Sequence, residues 1–459
     1  METQVDVIVL GAGLTGLSTA YHLNQASVKF AVLDCKADVG GVIATSSKNG
    51  FVFELGPNTG VVGSPEIAEL LEALHPDCEV EYGNDKVSKR FILYKGKWQA
   101  LPGGLWGGIT TPLFTWKDKF RILGEPFRKK GTNPEETLAD LVKRRMGNSF
   151  LDYAIDPFIL GVYAGDPAYL IPKYALPKLY NLEQNYGSFI KGAIKKAKIP
   201  KTDREKKATG KIFTVKGGLG ALTKTLYSKI GADKFLLGVS GIHVKPVETG
   251  FEVSLTNKDG DTVTLNAKKV ISTLPAFELP KILGFVDEHL LNQVSQVFHP
   301  QVVEIAVGFN QWKGVPIDGF GGLIPFKEKR EIMGVMYMSS LFENRAPEGG
   351  ALITVFVGGA RRQDLPQRSD EELKALVAKE FKELMGVPDF KPDLFEIIRH
   401  KHAIPQYGKE SKARFEAVEK IQTQFPGLLI GGNLRNGIGM SDRVKQGTEL
   451  AHEIIAVLK

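Results

Sequence analysis

The sequence predicts a mixed α/β fold, α+β overall, organised around a Rossmann-type sheet. Two observations support this. Near the N-terminus, the β-branched run VIVL (7–10) precedes a glycine turn at 11–16 and a stretch with apolar residues at i, i+3 and i+4. Near the C-terminus, a short apolar strand leads into Gly431 and Gly432, before a helix predicted to reach Leu458. Strand, turn and helix in this order are typical of a nucleotide-binding unit.

The N-terminal turn has the spacing GxGxxG. Gly11 permits the tight turn, Gly13 allows backbone to approach a pyrophosphate, and Gly16 lets the helix pack closely on the strand. A second strand, KFAVLD (29–34), ends in Asp34, which is placed to bind a ribose hydroxyl. These features predict dinucleotide binding and leave NAD and FAD open.

Two further segments favour FAD. Gly40 and Gly41 follow the acidic strand end, an arrangement that resembles the flavoprotein form of the motif. At the other end of the chain, Gly432 and Asn433 precede a helix that Ser441 or Asp442 could cap, and the amides of that helix could face a flavin oxygen or a phosphate. That closing segment is similar to the one in amine-oxidase-type flavoproteins.

Composition sets the protein class. A chain of 459 residues is long enough for two or three domains, and 43% hydrophobic with 24% charged residues is ordinary for a soluble globular protein. No apolar run approaches the roughly 20 residues of a membrane span, and Glu2 and Asp6 stand where a signal peptide would be basic. We therefore expect a cytoplasmic protein.

Charge and cysteine usage exclude several function classes. The net charge is +7, and much of the excess lies in a lysine-rich segment at 191–211, expected as a solvated loop. Aromatic residues do not alternate with those lysines, so nucleic-acid binding is not predicted. Neither the two cysteines nor the eight histidines show a metal-binding spacing, and His400 and His402 are expected in structural or surface roles.

The domain organisation is predicted as follows. A discontinuous FAD-binding domain comprises 1–80, 211–280 and 400–459. A mainly helical domain that contacts substrate and membrane comprises 81–210, and a sheet-based substrate domain comprises 281–399. The stretch around Trp106 to Trp116 is apolar without clean periodicity, which fits core packing, a ligand mouth or a membrane-contact surface.

Several longer motifs are more specific than a glycine turn. They include GPNTGV from Gly56, GVYAGDP from Gly161, GFGGLIP from Gly319 and NRAPEGG from Asn344. Through them the chain resembles the oxygen-dependent protoporphyrinogen oxidases and the related coproporphyrin-forming coproporphyrinogen oxidases, of the amine-oxidase-like superfamily. The resemblance implies a fold like p-hydroxybenzoate hydroxylase and the amine oxidases. It also implies an FAD-dependent, six-electron oxidation of a porphyrinogen to a porphyrin in heme biosynthesis, with oxygen as acceptor and hydrogen peroxide as product.

The resemblance also assigns site residues. It implies that Asn58, Gly161 and Phe320 contact substrate, while flavin N5 carries the chemistry and no catalytic side chain is assigned. The residues implied in FAD binding are Gly11, Ala12, Gly13, Leu14, Thr15, Gly16, Asp34, Cys35, Gly40, Gly41, Val42, Gly56, Pro57, Asn58, Thr59, Val239, Gly432, Asn433, Met440, Ser441 and Val444.

The chain departs from the family pattern at two of these positions. Asn58 and Val42 stand where relatives often carry arginine, at Asn58 to pair with a propionate. A neutral hydrogen bond would replace that ion pair, so other cations must recognise the propionates. The candidates are Lys89, Arg90, Lys401 and Arg435.

Alternative functions remain at the sequence level. Protoporphyrinogen IX is the first predicted substrate, and coproporphyrinogen III, with four carboxylates, is the second. An amine oxidase or carotenoid desaturase shares the scaffold, and a noncatalytic porphyrin carrier would retain FAD for structure. The expected partners are a porphyrinogen, the anionic inner face of the cell membrane through peripheral contact, and other heme-pathway enzymes.

Overall fold

The computed structural model describes residues 4–87 and 89–458. Its strands are β1 (Gln4–Leu10), β2 (Phe30–Asp34), β3 (Thr45–Lys48), β4 (Phe51–Glu54), β5 (Gly60–Val61), β6 (Val80–Tyr82), β7 (Arg90–Tyr94), β8 (Lys97–Ala100), β9 (Ile212–Val215), β10 (Phe235–Leu237), β11 (Ser240–Val247), β12 (Gly250–Thr256), β13 (Thr262–Ser272), β14 (Val302–Phe309), β15 (Gly321–Leu323), β16 (Ile332–Tyr337), β17 (Ala351–Gly358), β18 (Leu394–His400) and β19 (Leu428–Ile430).

Its α-helices are α1 (Leu14–Gln25), α2 (Pro65–Leu74), α3 (Gly104–Thr110), α4 (Trp116–Leu123), α5 (Leu138–Arg145), α6 (Asn148–Phe150), α7 (Asp156–Tyr163), α8 (Pro172–Ala175), α9 (Pro177–Tyr186), α10 (Phe189–Ala197), α11 (Asp203–Lys206), α12 (Leu219–Ile230), α13 (Leu279–Ile282), α14 (Glu288–Ser295), α15 (Met338–Leu341), α16 (Asp370–Leu384), α17 (Ser411–Gln424) and α18 (Met440–Leu458). Within the described residues, no helix is both long and apolar enough to cross a membrane.

The first sheet joins segments that are far apart in the chain. Strands β10, β2, β1, β13 and β19 lie side by side and parallel, and β12 and β11 extend β13 in antiparallel pairing. The β-branched residues of β1 are buried on both faces, as a parallel strand covered by helices requires. The first and last strands of the chain therefore flank the same strand, β13.

The two ends of the chain also pack through helices. Helices α1 and α18 lie against each other on one face of this sheet, where Ser18 Oγ donates to the Val444 carbonyl at 3.1 Å and Thr19 Oγ1 donates to the Gly447 carbonyl at 3.1 Å. A Cβ at Gly447 would lie 2.5 Å from the Thr15 carbonyl oxygen. The absence of a side chain at Gly447 thus allows the close approach of the two helices.

The second sheet has seven strands in the order β18-β14-β17-β16-β15-β7-β8. All its neighbouring pairs are antiparallel except β15 and β7. One face packs on α16 through a core that includes Val355, Leu373 and Phe381. On the opposite face, Ala306 and Leu352 pack in one cluster with Phe51 and Phe53 of β4, and this face forms part of the candidate site.

The segment 81–210 combines helices with strands. Helices α3 to α11 occupy nearly half of it, and β7 and β8 form a hairpin that belongs to the second sheet. The expectation of a solvated loop at 191–211 is wrong, because α10 and α11 occupy much of that segment, and Ser188 and Thr202 cap them. The predicted domain boundaries stay predictions, since sheet membership alone does not delimit domains.

Candidate active site

The glycine turn leaves open space at the start of α1. Gly11 has φ of +102°, and a Cβ at Gly16 would lie 1.8 Å from the Gly11 carbonyl oxygen, so both positions require glycine. Gly13, by contrast, has an ordinary extended conformation and a Cβ there would meet nothing within 4 Å. Gly13 also gives α1 no side-chain cap. A free helix N-terminus beside open space suits an anion such as a diphosphate.

The acidic end of β2 lies against this turn. Asp34 is buried, and its Oδ2 accepts from the Ala12 backbone N–H at 2.6 Å. Its Oδ1 accepts from the Lys36 N–H at 2.9 Å, and the Val239 N–H donates to the Asp34 carbonyl at 3.2 Å. Asp34 and Val239 therefore lie next to the glycine turn, where a ribose and a base attached to the diphosphate would reach them.

The second glycine pair adjoins the first turn. Gly13 and Gly40 form an isolated β-bridge, and a Cβ at Gly41 would lie 3.2 Å from Gly13 Cα. A Cβ at Gly56 would lie 2.0 Å from the Val42 carbonyl oxygen, which brings the loop at 56–59 against this pair. Val42 itself is exposed although Gly40 and Ile43 on either side are buried.

The C-terminal segment meets the same loops. Helix α18 begins at Met440, so Ser441 lies inside its first turn, where Ser441 Oγ accepts from the Gly63 N–H at 3.0 Å and donates to the Val61 carbonyl. Of the two predicted capping residues, Asp442 bonds the backbone just before the helix, accepting from the Gly439 N–H at 3.1 Å. The backbone carbonyl of Asn433 accepts from Tyr407 Oη at 2.8 Å.

These loops together fit the diphosphate and ribose of FAD. The fit rests on an uncapped helix terminus, open space at Gly13, a buried acid at the strand end and closely apposed glycines. The contacts above place ten of the predicted residues, together with Leu14 and Thr15 of the helix itself, beside the start of α1: Gly11, Ala12, Gly13, Gly16, Asp34, Val239, Gly40, Gly41, Val42 and Gly56. The FAD contacts of the other predicted residues stay predictions: Cys35, Pro57, Asn58, Thr59, Gly432, Asn433, Met440, Ser441 and Val444.

A largely apolar floor continues from these loops across the second sheet. The strand register places two neighbouring rows of residues on one face of the sheet. The first row is Ala306, Thr354, Met336 and Gly321, and the second is Glu304, Phe356, Gly334 and Leu323. Directly opposite residues share a face, as do residues two apart along a strand. The floor spans four strands, or about 14 Å at ~4.8 Å per strand. Met336, Phe356 and Leu323 are only half-buried, unlike most of their neighbours.

Gly161 and Phe320 lie at one end of this floor. A Cβ at Gly161 would lie 2.3 Å from Leu323 Cδ2, so the glycine allows α7 to approach β15. Phe320 precedes β15 and packs with Met336, and the guanidinium of Arg90 lies 5.5 Å from the centre of its ring. Two of the predicted substrate residues therefore border the same apolar surface.

Asn58 lies at the other end, within a polar cluster. Its amide nitrogen donates to Glu304 Oε1 at 2.6 Å, and its amide oxygen accepts from Thr354 Oγ1 at 3.0 Å. The second oxygen of Glu304 lies 3.3 Å from His400 Nε2. Burial raises the pKa of Glu304, and hydrogen bonds from His400 and Asn58 offset part of that increase.

This cluster changes the interpretation of Asn58. Both polar atoms of its side chain are bonded within the protein, so contact with a substrate carboxylate would require breaking those bonds. Sequence reasoning missed Glu304 and Thr354 and gave His400 a structural role. The signal that could have identified Glu304 is a single acid within the apolar run VVEIAVGF.

The predicted propionate partners are scattered. Lys89 is exposed and pairs with Asp318 at 2.6 Å, whereas Arg90 lies over Phe320. Lys401 is exposed, and Arg435 donates to Gln422 Oε1 at 3.2 Å. Arg90 contacts the predicted substrate residue Phe320 through its side chain, and Lys89 does so through its backbone carbonyl, which accepts from the Phe320 N–H at 2.8 Å. All four propionate assignments stay predictions.

Comparison with known proteins matches the whole chain. Residues 14–454 match the family model described as flavin containing amine oxidoreductase. Protoporphyrinogen oxidase 2 of Arabidopsis thaliana is 28% identical, over 99% of this chain and 94% of its own length. Protoporphyrinogen oxidase of Bos taurus is 29% identical over 98% of each chain, and coproporphyrinogen III oxidase of Bacillus subtilis is 25% identical over 98% of each.

Solved structures show the same fold. A crystal structure from Exiguobacterium sp. 255-15 superposes with a TM-score of 0.81 at 21% identity, covering 100% of this chain and 99% of the other. Cyclohexylamine oxidase from Brevibacterium oxydans superposes with a TM-score of 0.72 at 15% identity, covering 99% of both. The predicted fold class is confirmed.

Proposed function

Because the chain belongs to the flavin containing amine oxidoreductase family, it is an FAD-dependent oxidoreductase, and we propose that it oxidises a porphyrinogen to a porphyrin in heme biosynthesis. Protoporphyrinogen IX is the first substrate, with oxygen as acceptor and hydrogen peroxide as product. The observation that carries the proposal is the full-length similarity to relatives named protoporphyrinogen oxidase.

The geometry of the loops supports an assignment of the residues that would hold FAD. The amides at the start of α1 would face the diphosphate, and Asp34 would accept from the ribose hydroxyls. The 40–42 and 56–59 loops adjoin the same turn. When bound, FAD accepts two electrons at a time from a carbon of the substrate. The protein would hold FAD and the reacting carbon of the substrate next to each other and limit side reactions.

The floor suits a broad, mostly apolar substrate. Phe320, Met336, Phe356 and Leu323 offer half-buried apolar surface across neighbouring strands. Apolar contact of this kind excludes water and favours a multi-ring ligand over a small amine. That breadth supports a porphyrinogen over an amine as substrate.

An anaerobic reaction tests the proposal. Purified FAD-loaded protein is mixed under nitrogen with protoporphyrinogen IX, with coproporphyrinogen III or with a primary amine, and flavin absorbance and porphyrin fluorescence are followed together. We expect protoporphyrinogen IX to bleach the flavin under nitrogen. Porphyrin fluorescence should appear only after oxygen is admitted, because the full oxidation removes six electrons and one FAD accepts two. Bleaching by the amine alone would indicate an amine oxidase, and binding without bleaching would indicate a porphyrin carrier.

Coproporphyrinogen III is the second candidate substrate. Its favouring observations are the similarity to the Bacillus subtilis coproporphyrinogen III oxidase and the net charge of +7, since this substrate carries four carboxylates. Faster flavin bleaching by coproporphyrinogen III than by protoporphyrinogen IX under nitrogen, together with faster porphyrin formation once oxygen is admitted, would reverse the order.

A peripheral association with anionic membrane is part of the proposal. Trp106, Trp116, Phe120, Leu123 and Phe127 on and beside α3 and α4 are each more than 60% exposed. Exposed aromatic residues next to lysines are typical of proteins that lie at a membrane interface. Lys119 lies 4.5 Å over the Trp116 ring, and Lys191 of α10 lies 5.3 Å over the Phe127 ring.

Vesicle binding tests this association. We expect the protein to co-sediment with vesicles containing anionic lipid at low salt and to dissociate as salt rises. A Trp116→Ser/Phe120→Ser variant should bind less, whereas Phe158→Ser, which removes an exposed aromatic residue on α7, should bind like the parent. No binding of the parent at low salt would contradict the proposal.

A further inference from the structure

An open cavity lies beside the exposed aromatic residues of α4. It has a volume of about 380 Å³ and is lined by parts of α4, of α5, of the helical segment that begins with α6 and of the turn after β15. Its lining residues Lys117, Lys143 and Asn148 are exposed, so solvent and a small ligand reach the cavity without displacing packed side chains. Its volume lies within the usual range of small-molecule sites, about 300–1,000 Å³.

Cations from three separate parts of the chain converge on this cavity. Lys117 and Arg121 come from α4, Lys143 comes from α5, and Lys327 follows β15. The lining also holds two carboxylates, so its net charge is +2. A cavity with this charge favours an anionic ligand.

Both carboxylates are already bonded within the protein. Oδ2 of the buried Asp118 accepts from the Ser149 N–H and from the Ser149 hydroxyl, each at 2.7 Å. Asp152 Oδ2 lies 2.8 Å from Lys327 Nζ. This ion pair occupies Lys327, so three of the four cations remain for a ligand.

The three remaining cations have no carboxylate partner among the described residues. Lys117 and Lys143 form no ion pair within that part of the chain. Arg121 Nη2 donates to the Arg144 carbonyl at 2.7 Å, which is a neutral group. Arg144 itself, next to Lys143 in sequence, pairs with Glu183 at 2.8 Å. The positive charges of the three cations are therefore available to an anion in the cavity.

Helix α4 joins the cavity to the aromatic residues. Lys117 and Arg121 are four residues apart and lie on one side of the helix, as Trp116 and Phe120 do. The two pairs are offset by one residue, or about 100° in a helix with 3.6 residues per turn, so the charged side adjoins the aromatic side. An amphiphile with its anionic head in the cavity would have its apolar part next to Trp116 and Phe120.

We propose that the cavity binds the phosphate of an anionic phospholipid headgroup, with Lys117, Arg121 and Lys143 around the phosphate. Trp116 and Phe120 then lie beside the start of the acyl chains, the level at which aromatic residues of interfacial proteins usually lie. The inference rests on the proposed peripheral association with anionic membrane and names the chemical group that is recognised. It adds a discrete site to the general attraction between basic residues and an anionic bilayer.

Titration with a soluble short-chain lipid tests for a discrete site. FAD-loaded protein is titrated by calorimetry with dioctanoylphosphatidylglycerol below its micelle concentration, at a salt concentration that screens long-range attraction. We expect saturation at one lipid per protein without a change in the flavin spectrum, since no lining residue belongs to the FAD loops or the floor. Lys117→Gln/Lys143→Gln should weaken this binding by about 10- to 30-fold, the effect of two lysines at an anionic headgroup.

A matched control removes the same charge elsewhere. Lys258, in the turn between β12 and β13, and Lys420, on α17, are exposed lysines outside the cavity that form no ion pair with a described residue. Lys258→Gln/Lys420→Gln should bind the lipid like the parent. Both double variants should keep FAD and the melting temperature of the parent, because each removes only exposed, unpaired side chains.

Two further ligands identify which part of the lipid is recognised. Inorganic phosphate supplies the anion without the chains, and dioctanoylphosphatidylcholine supplies phosphate and chains in a zwitterion. We expect both to bind more weakly than dioctanoylphosphatidylglycerol. Trp116→Ser/Phe120→Ser should weaken binding of the lipids but not of inorganic phosphate. Equally tight binding of inorganic phosphate or of the zwitterion would overturn the assignment to an anionic lipid.

The outcomes separate this inference from the proposals on which it rests. If the parent binds anionic vesicles but the Lys117→Gln/Lys143→Gln variant binds the short-chain lipid as tightly as its control does, the headgroup site is overturned and the membrane association stands. If the parent binds no anionic vesicles at low salt, the association and the site both fail. Oxidation of porphyrinogens by the parent does not depend on either result.

Discussion

The amide nitrogen of Asn58 lies 2.6 Å from Oε1 of Glu304, and this contact links the 56–59 loop to β14 of the second sheet. Thr354 bonds the other end of the same amide, and His400 lies beside the other oxygen of the carboxyl group. A cluster with this many internal bonds holds the loop and the sheet in fixed register. It also places a buried carboxyl group at the edge of the substrate floor.

Glu304 gives stability a pH dependence. An unfolded glutamate titrates near pH ~4.3, and the folded pKa of Glu304 is raised, so the folded state retains a proton that the unfolded state has lost. The free energy of unfolding should therefore fall as pH rises from about 4.3 through the raised pKa. Glu304→Gln should remove this part of the decrease, as measured by urea unfolding between pH 4 and 8.

The matched control is Glu396→Gln. Glu396 projects from the same face of the sheet, but it is partly exposed and pairs with Lys48. Glu396→Gln should leave the dependence of the free energy of unfolding on pH close to that of the parent. The titratable groups acting on Glu304 are His400 and Glu54, and both remain in the two variants. Identical pH profiles for the parent and Glu304→Gln would contradict the prediction.

Substitutions in the glycine turn should distinguish residues needed for FAD binding from residues needed for folding. Gly13 has an ordinary conformation and open space around a Cβ, so Gly13→Ala should leave the thermal stability of the FAD-free protein unchanged. The added methyl group would occupy the space through which the diphosphate approaches the helix amides. We expect a loss of FAD affinity of at least tenfold, measured by flavin fluorescence on titration with FAD.

Gly16→Ala is the contrasting variant. Its Cβ would lie 1.8 Å from the Gly11 carbonyl oxygen, a backbone atom that cannot move aside cheaply. We expect it to lower the melting temperature of the FAD-free protein, which Gly13→Ala does not do. If Gly13→Ala binds FAD as tightly as the parent, Gly13 does not face the diphosphate.

The FAD site follows from local sequence better than the substrate site does. Gly11, Gly16 and Asp34 lie within one strand-turn-helix-strand unit, so spacing alone fixes their relative positions. Glu304, Thr354 and Asn58 come from three distant segments and meet only through strand register and a loop contact. Local sequence patterns carry no information on such register.

The same reasoning explains other differences between expectation and structure. The hairpin β7–β8 precedes the helices in sequence but pairs with β15, more than 200 residues later, so helical spacing in the neighbourhood gave no sign of its sheet. Arg361 follows β17, and its Nη1 lies 2.6 Å from Asp156 Oδ1 of α7, a contact between segments about 200 residues apart that spacing does not reveal.

Gly161 sets the shape of the substrate floor. In Gly161→Ala, the new Cβ would lie 2.3 Å from Leu323 Cδ2 and would push that side chain across the floor. We expect a several-fold increase in KM for the porphyrinogen, with a loss of stability of at most about 1–3 kcal/mol because a leucine side chain can rotate. Steady-state kinetics and thermal unfolding measure the two effects.

A second substitution tests the cause of this effect. Leu323→Ala removes the side chain that the new methyl group would displace, so Gly161→Ala/Leu323→Ala should have a KM close to that of Leu323→Ala alone. If the double variant keeps the full additional increase in KM, the methyl group acts on the substrate directly and not through Leu323.

A buried ion pair joins the end of β4 to the loop between α15 and β17. Arg345 Nη1 lies 2.9 Å from Glu54 Oε1, and Arg345 Nη2 donates to Thr214 Oγ1 at 2.7 Å. Burial raises the pKa of Glu54, while Arg345 and the hydroxyl of Thr45 offset part of that increase. Arg345→Met would leave this carboxyl group buried without its cation, and we expect it to lower the free energy of unfolding by about 3–5 kcal/mol.

The reason for this loss predicts its recovery. Glu54→Gln removes the charge that Arg345→Met leaves uncompensated, and the glutamine can still accept from the Leu219 N–H, which lies 3.1 Å from Glu54 Oε1. The double variant Glu54→Gln/Arg345→Met should therefore be more stable than Arg345→Met alone, as measured by urea unfolding at neutral pH. A double variant no more stable than Arg345→Met would show that lost packing and the lost bond to Thr214, rather than an unpaired buried charge, cause the destabilisation.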